Sequence, residues 1–310
     1  MVLALLLLTV WTYRGVFSSG FVWEDVDPNP AEWSFQPRAL TALTMRLQIG
    51  QSAAVFHAVN LAVHLMNGLL LYAIVPSLLA LTLWWLLPIQ SEAVSYVAAR
   101  GDLLLCTAVL MAILAFRLSG VRRVIYVALC LAGAVLAKET GAVAGGLLLL
   151  WGWAIGATRM AVALFLGTLA LIGVTAAGLL PRMSLWVAPG MRPQPWFAGV
   201  QVAAMWRYLW LTIWPFDGLS IVHDFDLVGP WMAACAVGGL LGAIWIAFRS
   251  QVRPVLFAVL WVVIALLPRL LVPLPDAMSE RHWMIAVLGF CLAIGLFEQE
   301  RYGCYSDSRT

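Results

Sequence analysis

The chain has 310 residues, of which 63% are hydrophobic and 11% charged, with a mean hydropathy of +0.94. Soluble domains carry about 25% charged residues, so the composition excludes a soluble globular protein and predicts an all-α, polytopic helical membrane protein. A net charge of +3 is too small to point to nucleic acid, and the cysteines show no CxxC spacing for a disulfide or metal framework.

Taken in order, the first apolar run is Val2 to Tyr13. It is short for a span, which takes about 20 residues, and Arg14 interrupts it. A signal peptide is the alternative, but the run lacks a basic leader and a small-residue cleavage site. A span clipped at its start is the other alternative. Residues 15–52 then form a first extracytoplasmic loop, with Trp23, Trp33 and Phe35 suited to the membrane interface.

Ala53 to Ile74 is a second span. Leu79 to Leu87 returns, and Pro88 opens a polar turn running to Asp102. Further apolar runs are Leu103–Phe116, Val124–Ala137, Ala142–Ala157, Ala161–Leu180, Trp231–Phe248, Pro254–Leu267 and Trp283–Phe297. Phe197–Trp214 breaks the alternation of sides and contains Gln201, Arg207 and Tyr208, so it is read as an interfacial or re-entrant helix. The result is about ten transmembrane helices plus one such helix in a single membrane domain, 1–310, with a short cytoplasmic tail, 298–310.

Charge agrees with this layout. Before the tail, the inner connections hold Arg117, Arg122, Arg123, Arg159, Arg249 and Arg253 and no acid. Basic residues mark the cytoplasmic side. Every carboxylate before the tail falls on the opposite face, which directs attention there for chemistry.

The densest acidic stretch on that face is Phe21-Val-Trp-Glu-Asp-Val-Asp27. Glu24 and Asp25 are adjacent, and neighbouring carboxylates raise one another's pKa. Such a group suits a base or a metal ligand; the alternative is a wet acidic loop. His57, Asn60, His64 and Asn67 share one face of the second span. His57 and His64 are about 10 Å apart along the axis, too far to share one ion, so interhelical hydrogen bonding is the better reading. Glu92, Arg100 and Asp102 form either a self-neutralising network or a polar pocket at the membrane surface. Lys138, the only lysine, ends a helix, where the dipole alone favours a cation. Glu280 and Arg281 bring charge together again, and arginine grips phosphate bidentately.

These residues carry a resemblance. Phe-Val-Trp-Glu-Asp resembles the acidic first-loop motif of the GT-C glycosyltransferases. Arg38-Ala-Leu-Thr41, Phe56-His-x-x-Asn60-x-x-x-His64, Pro88-Ile-x-x-Glu92-Ala-Val, Arg100-Gly-Asp-Leu-Leu104, Lys138-Glu139 and Glu280-Arg281 follow in the same order as in the transmembrane and tetratricopeptide-repeat protein O-mannosyltransferases and their bacterial relatives. The resemblance implies a GT-C-like enzyme that moves a sugar, mannose in that family, from a polyprenyl-phosphate donor to a protein or glycan hydroxyl. It places the protein in a bacterial inner membrane with an external site, or in the endoplasmic reticulum with a lumenal one. Three departures stand out. The acidic pair is Glu24-Asp25 where the family usually has Asp-Asp. Leu87 stands where a histidine is usual. The repeats are missing, so a separate acceptor-binding partner is expected, or the chain is a fragment.

The residues suit that chemistry. A phosphate leaving group needs cations, and Arg100, Lys138, Arg281 and Arg207 are the expected donor-binding set, with Arg38, His57, Glu92, Asp102, Glu139 and Glu280 around them. The acceptor needs a base, Asp25 first and Glu24 second. No cofactor is required; the alternative is a Mg or Mn ion held by Asp25 and Asp27. The rival readings are a non-catalytic membrane partner or degenerate relative, and a secondary transporter, which would show inverted repeats and broken helices near the midplane.

Overall fold

The computed structural model describes residues 1–21, 38–158, 162, 195–219, 228–271 and 278–302. Among them every regular element is helical. Six helices are long and apolar enough to cross a membrane, or seven if a bent pair counts as one span. The protein is thus a helical integral membrane protein. The expected span Ala161–Leu180 falls almost wholly outside the described residues.

The helices are α1 (Val2–Thr12), α2 (Ala39–Arg46), α3 (Ala53–Ile74), α4 (Leu78–Leu86), α5 (Ser91–Ser95), α6 (Arg100–Ala115), α7 (Gly120–Ala137), α8 (Ala144–Ala154), α9 (Phe197–Ile213), α10 (Pro230–Ser250), α11 (Arg253–Leu271) and α12 (Met284–Arg301). Short 3-10 turns lead into α5, α6, α8 and α12. Ser77 caps α4 by accepting from the Ala80 amide at 3.0 Å. Leu87 ends it in an extended conformation, as a residue before proline prefers. The chain bends 51° at that point.

α6 is the central helix, packed against α3 and α7 and buried over most of its length. Two features of the α3 sequence make the first contact. Asn60 donates to the Tyr96 carbonyl at 3.1 Å and Asn67 to the Leu103 carbonyl at 2.9 Å. Both asparagines thus bond across to the next segment, as expected. The histidines differ. His64 stacks on Trp84, and neither its ring nitrogens nor those of His57 have a hydrogen-bond partner among the described residues.

Glycines let bulky rings approach. The Trp85 indole lies against Gly68 and the Trp261 indole against Gly289, both where a Cβ would overlap the ring. Small residues at such crossings replace the hydrophobic drive that lipid does not supply. Trp261 also donates to the Ile285 carbonyl at 2.7 Å. By contrast α10 exposes Trp231, Leu241, Trp245 and Phe248, an apolar surface suited to lipid.

The two ends of the bundle differ in charge. Arg117 donates to the last carbonyls of α3, Ala73 and Ile74, at 2.7 and 3.2 Å. A cation is favoured at a helix C-terminus. Arg122, Arg123, Arg249, Arg253 and Arg301 stand at that same end, where α6, α10 and α12 finish and α7 and α11 begin. Asp102, Lys138, Glu92 and Glu280 stand at the other. α9 packs against this second end: Gln201, Tyr208 and Thr212 bond Arg269, Ser279 and Trp283 respectively.

A Gly289→Ala substitution should cost about 1–3 kcal/mol, the usual penalty of overpacking a filled core. Gly133→Ala, where a Cβ meets nothing within 4 Å, should not destabilise and should gain up to about 1 kcal/mol, because glycine is the poorer residue inside a helix. Thermal unfolding of the two purified variants in one detergent checks this; equal melting temperatures would remove the indole–glycine contacts from the account.

Candidate functional site

The charged motif residues that the sequence spreads along the chain meet at the second end of the bundle. Lys138 closes α7, and its ammonium donates to both Asp102 carboxylate oxygens at 2.6 Å. Their side chains are only 7% and 9% exposed. Gly101 permits the approach, since a Cβ there would stand 3.0 Å from the Ala137 carbonyl. Thr41 bonds that same carbonyl at 2.7 Å, which seats α2 on the end of α7.

One residue on, Glu139 takes a two-pronged grip from Arg38, at 3.0 and 2.7 Å. Arg38 is the N-cap of α2 and has a left-handed backbone, φ 98°, a conformation that costs a residue with a side chain. Burial raises the Glu139 carboxyl, but Arg38 and then Lys138 outweigh it and hold the pKa at about 2. Burial likewise lowers the Lys138 ammonium, with Asp102 and Glu139 pulling it part of the way back.

Glu92 fastens the other side. It accepts from the Ser279 hydroxyl at 2.7 Å and from the Arg281 amide at 3.0 Å, with the Arg281 guanidinium 3.7 Å away. Tyr208 of α9 completes the hold on Ser279, accepting from its amide and donating to its carbonyl, each at 2.8 Å. The Arg281 guanidinium also lies over the Tyr96 ring, 4.9 Å from its centre. Arg269, behind Pro268 in α11, meets His282.

Arg38, Thr41, Gly101, Asp102, Lys138, Arg281 and His282 line a crevice of about 30 Å³. That volume suits a water or two, not a sugar. The cations are held in place by acids before any anion arrives. Among the described residues no group of His, Cys, Asp and Glu has the arrangement of a metal site.

The expected set divides. Arg38, Asp102, Lys138, Glu139, Glu92 and Arg281 come together, and Glu280 is buried in the adjoining turn. Arg100 does not join them. It is fully buried and donates to Asn60 Oδ1 at 2.8 Å, Gln48 Oε1 at 2.5 Å and the Phe56 carbonyl at 3.1 Å, so it ties α6 to α3 and the turn before it. Asp102 consequently pairs with Lys138, not Arg100. Arg207 also stands apart, bound to Asp217 at 2.7 Å. His57 is buried within the bundle. Glu24, Asp25 and Asp27 lie outside the described residues. Sequence reading missed Arg269, Ser279 and Tyr208; the one signal for Arg269 was a Pro-Arg step at the end of an apolar run.

Two outcomes test the geometry. Asp102→Asn strands a buried ammonium and should cost about 3–5 kcal/mol, whereas the double variant Asp102→Leu, Lys138→Met should recover most of the loss; denaturant unfolding in detergent measures both. For Glu139 the folded pKa lies below the ordinary value of 4.5, so its stabilisation is complete above that pH and is lost as pH falls towards about 2. The gap in melting temperature between the natural protein and Glu139→Gln should therefore be constant at neutral pH and close on acidification through that window. A gap independent of pH would dismiss the Arg38 pairing.

Compared with known proteins, the chain matches no family model, no curated protein and no solved structure.

Proposed function

We propose that the protein is a GT-C-like membrane glycosyltransferase that takes a sugar from a polyprenyl-phosphate donor and delivers it to a hydroxyl acceptor, a protein Ser or Thr in the first instance. One observation carries the reading. Segments 38–41, 101–102, 138–139 and 281, from four of the motifs of the resemblance, meet around a single crevice at one end of the bundle, and Glu92 of a fifth fastens its wall.

In this reading Lys138, Arg38 and Arg281 stabilise the charge that develops on the departing phosphate. Cations fixed beforehand do this without reorganising at the moment of reaction. Asp102, Glu139 and Glu92 are the groups that fix them. Arg100 becomes a structural arginine, because a phosphate would have to displace three acceptors to reach it. The first-loop acids supply the base: Asp25 takes the acceptor proton as the hydroxyl attacks the anomeric carbon and the phosphate leaves from the opposite side, inverting that centre. About ten spans and an outward-facing site belong to the same proposal, since the acid-bearing end stands opposite the arginine-bearing end.

A second reading has its own support. The crevice is smaller than a sugar and its described charges are mutually neutralised, as suits a non-catalytic membrane partner or degenerate relative.

Incubating the purified protein with radiolabelled polyprenyl-phosphate sugars and Ser/Thr peptides separates the two. The enzyme reading expects labelled peptide, a fall of about 10²–10⁴ in turnover for Asp25→Asn, and weaker donor binding for Arg281→Lys, which loses the planar fork. Absence of transfer from every donor, or full activity in Asp25→Asn, Glu24→Gln and the double variant, would favour the non-catalytic reading.

A further inference from the structure

At the arginine-bearing end of the bundle, the far side from the site, an open groove of about 550 Å³ runs between α4, α11 and α12. Leu79, Val255, Ala258, Phe290 and Ala293 are among the residues of its apolar wall, and Glu298, Arg301 and Tyr302 stand at its mouth. Its size falls in the range of small-molecule pockets, roughly 300–1,000 Å³.

One dimension and one pair of charges bear on the occupant. From Phe290 to Arg301 the groove follows α12 for about 16 Å at 1.5 Å per residue. That is close to half the ~30 Å hydrocarbon core, the depth of one leaflet. The mouth carries one acid and one base. Glu298 and Arg301 are three residues apart, neighbours on one helix face, and neither is ion-paired among the described residues. A groove for a purely anionic lipid would not present a carboxylate at its mouth.

We propose that this groove binds one phospholipid with a phosphoethanolamine headgroup. An acyl chain fills the apolar wall, Arg301 holds the phosphate, and Glu298 accepts hydrogen bonds from the primary ammonium. The trimethylated ammonium of a choline lipid has no N–H to offer Glu298. A glycerol lipid offers Glu298 only neutral hydroxyls in place of a cationic N–H, which makes the stronger, charge-assisted bond. The proposal does not depend on the glycosyltransferase reading, because the groove and the crevice lie at opposite ends of the bundle.

Native mass spectrometry of the full chain tests it, with phosphatidylethanolamine, phosphatidylcholine and phosphatidylglycerol of identical acyl chains offered in detergent. One ethanolamine lipid should be retained per chain, and the other two should bind about tenfold more weakly, the loss of one charge-assisted hydrogen bond. Glu298→Gln should erase the preference, and Arg301→Ala should weaken retention of all three lipids, which share the phosphate. Both sit in the last turn of α12, where a change leaves the core intact. Ala293→Trp should exclude the lipid in a protein that still gives a cooperative thermal transition. Equal retention of the three lipids, a preference for the glycerol lipid, an unchanged preference in Glu298→Gln, or undiminished retention in Arg301→Ala would overturn the proposal. If Ala293→Trp does not fold, the two mouth variants decide it alone.

Discussion

Between Lys138 and Asp102 the bundle holds an ion pair in a place where either charge alone would be costly. The pair requires the end of α7 to sit against the start of α6, and Gly101 makes room for that contact. Once it is made, the backbone turns through Glu139 into α8, and Glu139 emerges at the rim, within reach of Arg38. Thr41 then ties α2 to the last carbonyl of α7. Three segments separated in sequence are therefore brought together around one buried contact, and the crevice is the space they leave.

The opposite wall follows from a carboxylate of a different kind. Glu92 sits in a short helix after the bend at Pro88, and it grips the hydroxyl of Ser279 and the amide of Arg281. Tyr208 clamps the same serine from α9. Glu92 thus acts on backbone as much as on charge, and it sets where Arg281 stands relative to Lys138 and Arg38. The acids of this end orient the cations. In a transfer that releases phosphate, oriented cations are what the departing group requires.

The two ends of the bundle divide the labour of charge. At one, acids and bases from distant segments converge and exclude solvent. At the other, arginines cap helix ends, as Arg117 does for α3, and a groove about one leaflet deep opens between α4, α11 and α12. This polarity follows from lipid: uncompensated charge is expensive at the bilayer centre, so charged chemistry gathers at the surfaces.

By itself the sequence determined the class of the protein and much of its helix map. The expected span Ala53–Ile74 agrees with α3 at both ends, because an apolar run bounded by polar residues has few other solutions in a bilayer. The confinement of acids before the tail to one end and the interhelical role of Asn60 and Asn67 were legible from spacing and charge along the chain; the grouping of Lys138, Asp102, Glu92 and Arg281 rested on the resemblance and the chemistry it implies, which grouped Arg100 and Arg207 with them as well. Pairing was not legible. Asp102 lies two residues from Arg100 but bonds Lys138, 36 residues away, and Glu92 bonds Ser279, 187 residues away. Side chains at helix ends choose partners among whatever ends the packing brings beside them. Only the tertiary structure decided that Arg100 turns inward to Asn60 and Gln48 while Arg38 and Arg281 face the crevice, because that choice depends on helix rotation and on glycine-permitted approach, which no local pattern encodes.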